Sequence, residues 1–393
     1  MKSVQDLNIK NKKVLIRVDY NVPIENGKIK NHFRLNASLD TIRYCLSQKA
    51  SVILMSHLGR PEGEDLNFSL EPIIDFLEEK FDTYIHFSND CISEDSIKFS
   101  QKMLPGEIHL LENLRFYSEE TSNNHMFSKS LSQHGDVYVC DSFGTAHRKH
   151  ASNSSILKYF KEKSIGILMS KEFKYLTQNN KDKSTVLIGG AKISSKIKMI
   201  KNYLDKCDTI LVGGAMAFTL LKAKGCNIGS SLIEDDMIDI SIDILNSAKD
   251  KNVKIVLPVD VVCTDKIDSE ESPQIKSIDL IKEDQMGLDI GPETTMIFLD
   301  YLSKSSSVIW NGPMGMFEKI NYSTGTSSIC TGISNFTKEN NLKSIIGGGD
   351  TVRAIEMTES VGSFTHVSTG GGASLKLLSG EKLDFIKSWE KYE

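Results

Sequence analysis

The sequence lacks the features that would identify several common classes of protein. Its seven cysteines are scattered, and none of them forms a Cys-x-x-Cys pair or a spacing typical of metal ligands. No apolar run approaches the length of a membrane span, and the polar N-terminus has no apolar signal core. We therefore expect reduced thiols, a cytoplasmic location and no membrane contact.

The two best-known nucleotide fingerprints are also missing. There is no G-x-x-x-x-G-K-[ST] motif, because the only Gly-Lys dipeptide, Gly27-Lys28, is followed by Ile29. No G-x-G-x-x-G run occupies the first strand-to-helix turn. A net charge of −5 and a pI near 6.0 argue against bulk nucleic-acid binding. Any nucleotide must therefore be held by a different glycine turn.

Arginine is scarce. Lysine and arginine together number 47, but only seven are arginine, and six of those precede residue 150. Since lysine supplies the general surface charge, we expect arginine where a planar, bidentate contact to a carboxylate or phosphate is needed. This pattern predicts an anion site in the first half of the chain.

Short apolar runs alternate with helical patterns along the whole chain. A length of 393 residues is too great for one usual core, so two domains are expected. Continuous apolar strands separated by helices are typical of a parallel sheet covered on both faces. The predicted fold class is α/β, with two lobes that are each a parallel, doubly wound (Rossmann-like) sheet flanked by helices. The predicted strands are 14–18, 52–55, 108–111, 137–139, 186–188, 210–212, 255–257, 308–310, 345–346 and 366–367.

Two helices are important for the domain organisation. The boundary between the lobes should fall near residues 160–185, where the polar helical run 170–178 precedes a loop at 179–182. The stretch 381–392 also predicts a helix, with Leu383, Ile386 and Trp389 on one face. A short terminal helix with an apolar face must dock on another part of the protein.

The predicted strands of the first half end in polar and charged residues. In open α/β sheets ligands bind outside the carboxyl ends of the strands, so these side chains should meet. Their cations suit a small, strongly anionic substrate such as a sugar acid phosphate. Individually, each also has an ordinary structural interpretation. The candidates are Asp19, Asn21, Arg34, His57, Arg60, Arg115, His147 and Arg148.

The predicted strands of the second half end in glycines. The stretch 344–351 runs from apolar residues into three glycines, an acid and a hydroxyl, which predicts a phosphate turn at a helix start. Asp350 fits such a turn if a divalent cation lies between it and the phosphates. Lys192 and Lys196 follow a second glycine turn, and Glu318 could accept hydrogen bonds from ribose hydroxyls. An ordinary glycine turn and a solvated loop carboxylate remain the alternatives.

Taken together, the motifs resemble those of phosphoglycerate kinase from Arg17 to Ala373. Many matching segments in one order are far more specific than any single motif. The segments are RVDYNVP (17–23), SHLGRP (56–61), LENLRF (111–116), FGTAHR (143–148), GGAK (189–192), GGAMA (213–217), WNGPMGMFE (310–318), GGGDT (347–351) and STGGGAS (368–374).

The resemblance implies a glycolytic, monomeric, hinge-bending enzyme for reversible phosphoryl transfer between ATP and the carboxylate of 3-phosphoglycerate. Arg34 and Lys192 are the implied catalytic residues, and Asp350 is the implied ligand of Mg²⁺. The implied 3-phosphoglycerate site is Asp19, Asn21, Arg34, His57, Leu58, Gly59, Arg60, Arg115 and Arg148. The implied nucleotide site is Lys192, Lys196, Gly291, Glu318, Gly348, Gly349, Asp350 and Thr351.

The implied lobes are 1–168 for the substrate and 169–380 for the nucleotide, with 381–393 returning to the first lobe. Some positions depart from the family pattern. Ser195 stands where aspartate is common, and Ser379 stands where glutamate is expected. Cys140 and Ser142 replace the usual asparagine and alanine. None of these changes removes a charged group assigned to chemistry, but Ser379 leaves the hinge contacts open.

Two other functions are compatible with an α/β chain of this kind. A nicotinamide-dependent dehydrogenase would use a doubly wound sheet, although the missing dinucleotide fingerprint counts against it. A two-lobed protein that binds an organic anion without turnover would use the arginines, but it has no need for Asp350 or Glu318. An absorbance assay for cofactor reduction and an ATP turnover assay separate these alternatives from a kinase.

Overall fold

The computed structural model describes residues 1–177, 184–268, 272–358 and 363–393. The chain forms two compact units. The first comprises Met1–Lys174 together with Lys382–Glu393, and the second comprises Tyr175–Glu381. The end of the chain therefore belongs to the same unit as its beginning.

Helices and strands alternate along most of the chain. The strands are β1 Lys13–Arg17, β2 Ile24–Glu25, β3 Lys28–Ile29, β4 Ser51–Met55, β5 Ile85–Ser88, β6 Ile108–Leu111, β7 Val137–Cys140, β8 Glu162–Ile165, β9 Ser184–Ile188, β10 Thr209–Val212, β11 Lys254–Val256, β12 Asp260–Thr264, β13 Gln274–Ser277, β14 Met286–Ile290, β15 Ser307–Asn311, β16 Lys343–Gly347 and β17 His366–Val367. The α-helices are α1 Phe33–Ser47, α2 Ile74–Phe81, α3 Glu94–Lys102, α4 Ser118–Thr121, α5 His125–Leu131, α6 Ile167–Leu176, α7 Ile197–Tyr203, α8 Met216–Ala223, α9 Ile238–Asp250, α10 Pro292–Ser303, α11 Thr324–Glu339, α12 Gly349–Glu356, α13 Gly372–Leu378 and α14 Asp384–Tyr392.

The first unit contains a parallel sheet of six strands in the order β5-β6-β4-β1-β7-β8. Val14 and Ile16 alternate along β1, and they share a core cluster with Leu35, Leu39 and Ile42 of α1. These helix positions recur at intervals of three and four residues, so one apolar stripe of α1 packs on one face of the sheet.

The second unit contains another parallel sheet of six strands, in the order β11-β10-β9-β15-β16-β17. Trp310 of β15 is fully buried and packs in a core with Phe298 of α10 and Ile329 of α11. A separate antiparallel sheet, β13-β12-β14, accompanies it. The prediction of two parallel, doubly wound sheets is confirmed.

Each predicted strand overlaps an observed one, but several observed strands were not predicted. β5 and β8 are edge strands with polar residues, and they show no continuous apolar run. The antiparallel strands β12 to β14 and the hairpin β2–β3 were also missed. Edge strands and short hairpins bury less surface than central strands, so their sequences carry a weaker apolar pattern.

The connecting helix α6 begins at Ile167 rather than at Ser170, because two side chains hold its first turn. Thr41 Oγ1 accepts a hydrogen bond from the Ile167 N–H at 2.8 Å, and Asp141 Oδ1 accepts one from the Met169 N–H at 3.0 Å. Gln178 and the predicted loop at 179–182 lie outside the described residues. Among the described helices, none is long and apolar enough to cross a membrane.

Candidate active site

In the first unit, Asp19, Asn21 and Arg34 come together beyond the end of β1. The Asp19 carboxyl is only 4% exposed, and its Oδ1 lies 3.5 Å from Arg34 Nη1. Arg34 enters from the first turn of α1 and donates a hydrogen bond from Nη1 to the Asn21 carbonyl at 2.9 Å. The acid therefore orients the guanidinium without fully neutralising the positive charge of the surrounding arginines.

His57 is buried beyond the end of β4, and the charge around it determines its protonation. Arg17 Nη2 lies 3.1 Å from His57 Nδ1. Because a guanidinium can only donate, Nδ1 accepts and the ring proton resides on Nε2. Burial, and then the charges of Arg17, Arg115 and Arg148, hold the pKa of His57 well below its ordinary value. His57 is thus a neutral hydrogen-bond donor rather than a cation.

The loop after His57 is held in place by side chains that come from other strand ends. Asn113 accepts from the Leu58 N–H at 3.1 Å and donates to the Leu58 carbonyl at 2.8 Å. Asn21 Oδ1 accepts from the Gly59 N–H at 2.9 Å. Gly59 has φ +63°, and a Cβ there would lie 2.2 Å from the Phe68 ring, so this turn requires glycine.

A cavity of about 500 Å³ is lined by Arg60, Arg115 and Arg148. Burial, and then the charges of Arg148 and Arg17, lower the pKa of Arg115 to about 10. Burial and then Arg60 likewise lower the pKa of Arg148. Arg115 Nε is buried and has no hydrogen-bond partner within the described residues. The cavity therefore has unbalanced positive charge and an unused donor, which together favour a phosphate dianion.

A buried network behind the cavity was not predicted. Arg17 donates from Nε to Ser152 Oγ at 2.8 Å, and Ser152 donates to Glu120 Oε1 at 2.6 Å. The Glu120 carboxyl is fully buried, and burial raises its pKa while Arg17 opposes that rise. Glu120 lies in a polar segment of the kind usually found at the surface, so nothing in that segment indicated burial. Arg17 interrupts an apolar strand, and this charged residue in a buried position could have indicated the network. The network fixes the guanidinium that orients His57.

In the second unit, the predicted phosphate turn has an open backbone. β16 ends at Gly347, Gly348 adopts φ +98°, and α12 begins at Gly349. A Cβ on Gly349 would meet no atom within 4 Å, and both Gly349 and Asp350 are exposed. The N–H groups of this helix start can therefore approach an anion closely.

A buried amide beside this turn is a further candidate that was not singled out. Lys196 Nζ donates to Asn311 Oδ1, while Asn311 Nδ2 is buried without a hydrogen-bond partner in the described part of the chain. Burial lowers the pKa of Lys196 to about 8, and Asp350 opposes that shift. Lys192 is exposed, and its carbonyl accepts a hydrogen bond from Ser195 Oγ at 2.8 Å. Both lysines and the amide can donate to phosphate oxygens.

An apolar cavity of about 480 Å³ adjoins the glycine turns. Met286, Leu288 and Phe317 line it together with Glu318 and Asp350. This combination suits a flat base and a ribose with phosphates at one end.

Two predicted nucleotide residues have structural contacts instead of facing this cavity. Thr351 Oγ1 donates to the Gly347 carbonyl at 2.9 Å and accepts from the Gly312 N–H at 2.7 Å. Gly291 packs against Asp260, whose carboxyl carbon would lie 2.2 Å from an added Cβ.

A small arginine-rich anion cavity on one parallel sheet, and a glycine-rich turn beside an apolar cavity on another, define a nucleotide-dependent phosphotransferase. The family model "Phosphoglycerate kinase" matches residues 4–381. The chain belongs to the phosphoglycerate kinase family.

The relatives agree along nearly the whole chain. The phosphoglycerate kinase of Chloroherpeton thalassium is 45% identical over 389 residues, covering 98% of each chain. That of Finegoldia magna is 46% identical over 391 residues with the same coverage. The solved phosphoglycerate kinase of Coxiella burnetii has a TM-score of 0.88 and 36% identity, covering 99% of this chain and 98% of its own.

These findings confirm the predicted enzyme class. The protein has the activity of this family: it is an ATP-dependent phosphotransferase with a carboxyl group as acceptor. This activity implies a role in glycolysis. The dehydrogenase and the anion-binding protein without turnover are not favoured.

Proposed function

We propose that this enzyme, a cytoplasmic monomer, transfers the terminal phosphoryl group of ATP reversibly to the carboxylate of 3-phosphoglycerate, using Mg²⁺. The products are 1,3-bisphosphoglycerate and ADP. The observation that carries this proposal is the unbalanced positive charge of the arginine cavity, in which Arg115 is buried and the arginines lower one another's pKa values. The buried free thiols of Cys45, Cys91 and Cys140 support a reducing compartment.

We assign the phosphate end of 3-phosphoglycerate to Arg60, Arg115 and Arg148. Their cavity has the size and charge for a phosphate group, and the Arg115 Nε–H group is a hydrogen-bond donor without a partner in the described residues. Asp19 and Asn21 orient the rest of the substrate through hydrogen bonds. The neutral His57 donates from Nε2. The backbone at Leu58 and Gly59 closes this side of the site.

The reaction needs no general base. The acceptor carboxylate is ionised at neutral pH, since side-chain acids have reference pKa values of roughly 4. The protein's task is to align the reacting groups and to stabilise charge on the transferred phosphoryl. We assign that stabilisation to Arg34 and Lys192, which are donors that cannot act as bases while protonated.

We assign the nucleotide phosphates to Lys192, Lys196 and the backbone of Gly348 and Gly349. The base occupies the apolar cavity and Glu318 accepts from the ribose. Gly291 and Thr351 contribute by holding the surrounding turns, as their packing suggests.

The donor set around the turn fits Mg²⁺. Asp350 is a single exposed carboxylate, and the described residues contain no group of three acidic, histidine or cysteine side chains that could hold a metal. Mg²⁺ at such sites is commonly bound by one or two carboxylates together with substrate phosphates and waters. When bound, the ion would neutralise phosphate charge, and Asp350 would hold it.

A coupled assay with ATP, Mg²⁺ and 3-phosphoglycerate tests the proposal. We expect ADP formation that depends on all three components. Binding of 3-phosphoglycerate without ADP formation would contradict the proposed reaction and favour the anion-binding alternative. Turnover that persists after chelation of divalent cations would contradict the role assigned to Mg²⁺ and Asp350.

A further inference from the structure

A second cavity of the first unit, of about 420 Å³, contains no residue assigned above to substrate or nucleotide. It lies between the edge strand β5 and helix α3, and we call it the edge cavity. Tyr84, which immediately precedes β5, and His86 of β5 both line the edge cavity, because alternate residues of an extended chain share one face. His109 of β6 pairs in register with His86, and Phe99 comes from α3.

The hydrogen bonds behind the edge cavity run in one direction. His134 Nε2 lies 2.9 Å from the Cys91 carbonyl, which can only accept, so His134 carries its proton on Nε2. Burial lowers the pKa of His134 to about 4, so the ring is neutral at pH 7 and its Nδ1 accepts. Ser100 Oγ, 2.7 Å away, must therefore donate its proton to His134 Nδ1.

The same reasoning extends to the cavity wall. Because Ser100 has used its proton, it accepts from His109 Nδ1 at 2.8 Å. Burial lowers the pKa of His109 to about 3, so this ring is also neutral and its Nε2 must accept. Ser88 Oγ, 2.7 Å from His109 Nε2, therefore donates its only proton inward. Ser88 presents only lone pairs to the edge cavity.

Two carboxylates of the edge cavity also favour a ligand that donates hydrogen bonds. Asp95 is exposed at its rim. Asp90 already accepts from the Ile92 and Ser93 N–H groups and from the Tyr117 hydroxyl. These two carboxylates repel an anion.

One buried hydroxyl in the wall of the edge cavity has no hydrogen-bond partner among the described residues. It belongs to Ser96, which is only 3% exposed. A buried hydroxyl without a partner is costly, so a ligand that pairs with it would be favoured.

Aromatic rings supply the rest of the wall. The rings of Tyr84 and His86 meet edge to face, with centroids 4.9 Å apart and planes at 89°. The ring of Phe99 lies 4.4 Å from that of His86. Aromatic faces attract cations, and rings set at an angle form two sides of a cage for an ammonium group.

We propose that the edge cavity binds a small organic cation, namely a protonated primary amine carried on an apolar body. The ammonium group donates to Ser88 Oγ, Ser96 Oγ and the Asp95 carboxylate, and the apolar body packs against the rings of Tyr84 and Phe99. Binding does not require the arginine cavity or the glycine turns.

Calorimetric titration of the full-length protein with 2-phenylethylammonium tests this proposal, with the uncharged 2-phenylethanol as the matched ligand. We expect the amine to bind at least about fivefold more tightly than the alcohol. Asp95→Asn should weaken amine binding by about fivefold and leave alcohol binding unchanged. Glu94→Gln is the matched control, because Glu94 is the exposed neighbour that pairs with Lys98 outside the cavity lining.

Ser88→Ala tests the direction of the hydrogen bonds separately. It should weaken amine binding by about threefold or more, while the thermal unfolding midpoint and the steady-state kinetics with ATP and 3-phosphoglycerate stay near those of the unaltered protein. Equal affinity for the amine and the alcohol would overturn the proposal. Equal effects of Asp95→Asn and Glu94→Gln, or unchanged amine binding in Ser88→Ala, would overturn it as well.

Discussion

Two side chains of the candidate site differ from their usual charge behaviour because of what surrounds them. His57 is neutral since burial and four nearby arginines disfavour its protonated form. Burial lowers the pKa of Lys196 to about 8, because its effect exceeds the opposing attraction of Asp350. In both cases the residue type could be read from the sequence, but the charge depends on neighbours that the fold brings together.

Replacing Arg34 should affect catalysis far more than nucleotide binding. Arg34 is held by Asp19 and Asn21, so it is oriented before charge develops on the transferred group. A preorganised donor of this kind contributes about 3–4 kcal/mol, so Arg34→Ala should lower kcat on the order of a hundredfold to a thousandfold. Steady-state kinetics measure this, with Arg43→Ala on the exposed face of α1 as control. A kcat within a few-fold of that of the unaltered enzyme would contradict the role assigned to Arg34.

Replacing Asp350 should affect only one of the two ligands. Asp350→Asn is expected to weaken Mg²⁺–ATP binding, because the amide is a poorer ligand for the ion. Binding of 3-phosphoglycerate should be nearly unchanged, since its proposed contacts are all in the first unit. Separate calorimetric titrations of the two ligands measure this, and equal losses for both would mean that the two sites are not segregated.

At the scale of elements, the starts of helices explain several details. α12 begins at glycines with an open backbone, which suits an anion. α6 begins earlier than predicted, because Thr41 and Asp141 satisfy N–H groups of its first turn. Both residues are distant from α6 in sequence, so no local pattern could have indicated this cap.

The Asp141 cap should make stability depend on pH. Burial raises the pKa of Asp141 from 3.8 to about 7, so between these values the folded protein keeps a proton that the unfolded chain releases. The free energy of unfolding should therefore fall as pH rises from about 4 to 7, by an amount on the order of a few kcal/mol. Asp141→Asn should remove this contribution, so the loss of stability between pH 5 and pH 8 should become smaller than in the unaltered protein.

Urea unfolding at pH 5 and pH 8 measures this difference when it is followed through the fluorescence of Trp389 in a Trp310→Phe background, since Trp310 belongs to the second unit. Asp75→Asn is the matched control, since Asp75 is an exposed carboxylate of the same unit. An unaltered pH dependence in Asp141→Asn would show that another buried acid is responsible. Asp289, whose pKa burial also raises to about 7, is the first candidate, although it belongs to the second unit.

At the scale of the whole molecule, the first unit depends on the last residues of the chain. Phe385 of α14 is fully buried, Trp389 is 4% exposed, and the Phe385 N–H donates to the Ala146 carbonyl at 3.0 Å. Ser388 and Ser154 hydroxyls pair at 2.7 Å. The first unit is therefore incomplete without α14.

Deleting 381–393 should abolish turnover while ATP affinity stays within a few-fold, because no proposed nucleotide contact lies there. Fully burying an aromatic side chain such as Trp389 contributes roughly 1.5–3 kcal/mol, which is a large part of the stability of a typical domain. The coupled assay and an ATP titration measure this, and Lys387→Ala on the exposed face of α14 is the control. Normal turnover by the truncated protein would contradict the role of this helix.

The sequence alone determined the fold class, the central strands and the candidate site residues, because apolar runs and motifs are local patterns. Arg60, Arg115 and Arg148 were predicted to share a site, and they line one cavity. The sequence could also indicate where polar groups follow strands, since parallel strands end at one edge of a sheet.

Only the tertiary structure decided which contacts α14 makes in the first unit, where the antiparallel strands β12 to β14 pair, and which side chains support the site. The Arg17–Ser152–Glu120 network and the buried Asn311 amide join residues far apart in the chain. Protonation of His57 and the direction of the bonds from Ser88 to His134 depend on burial and on partners from several elements. These properties arise from long-range packing, which leaves no periodic or local trace in a single sequence.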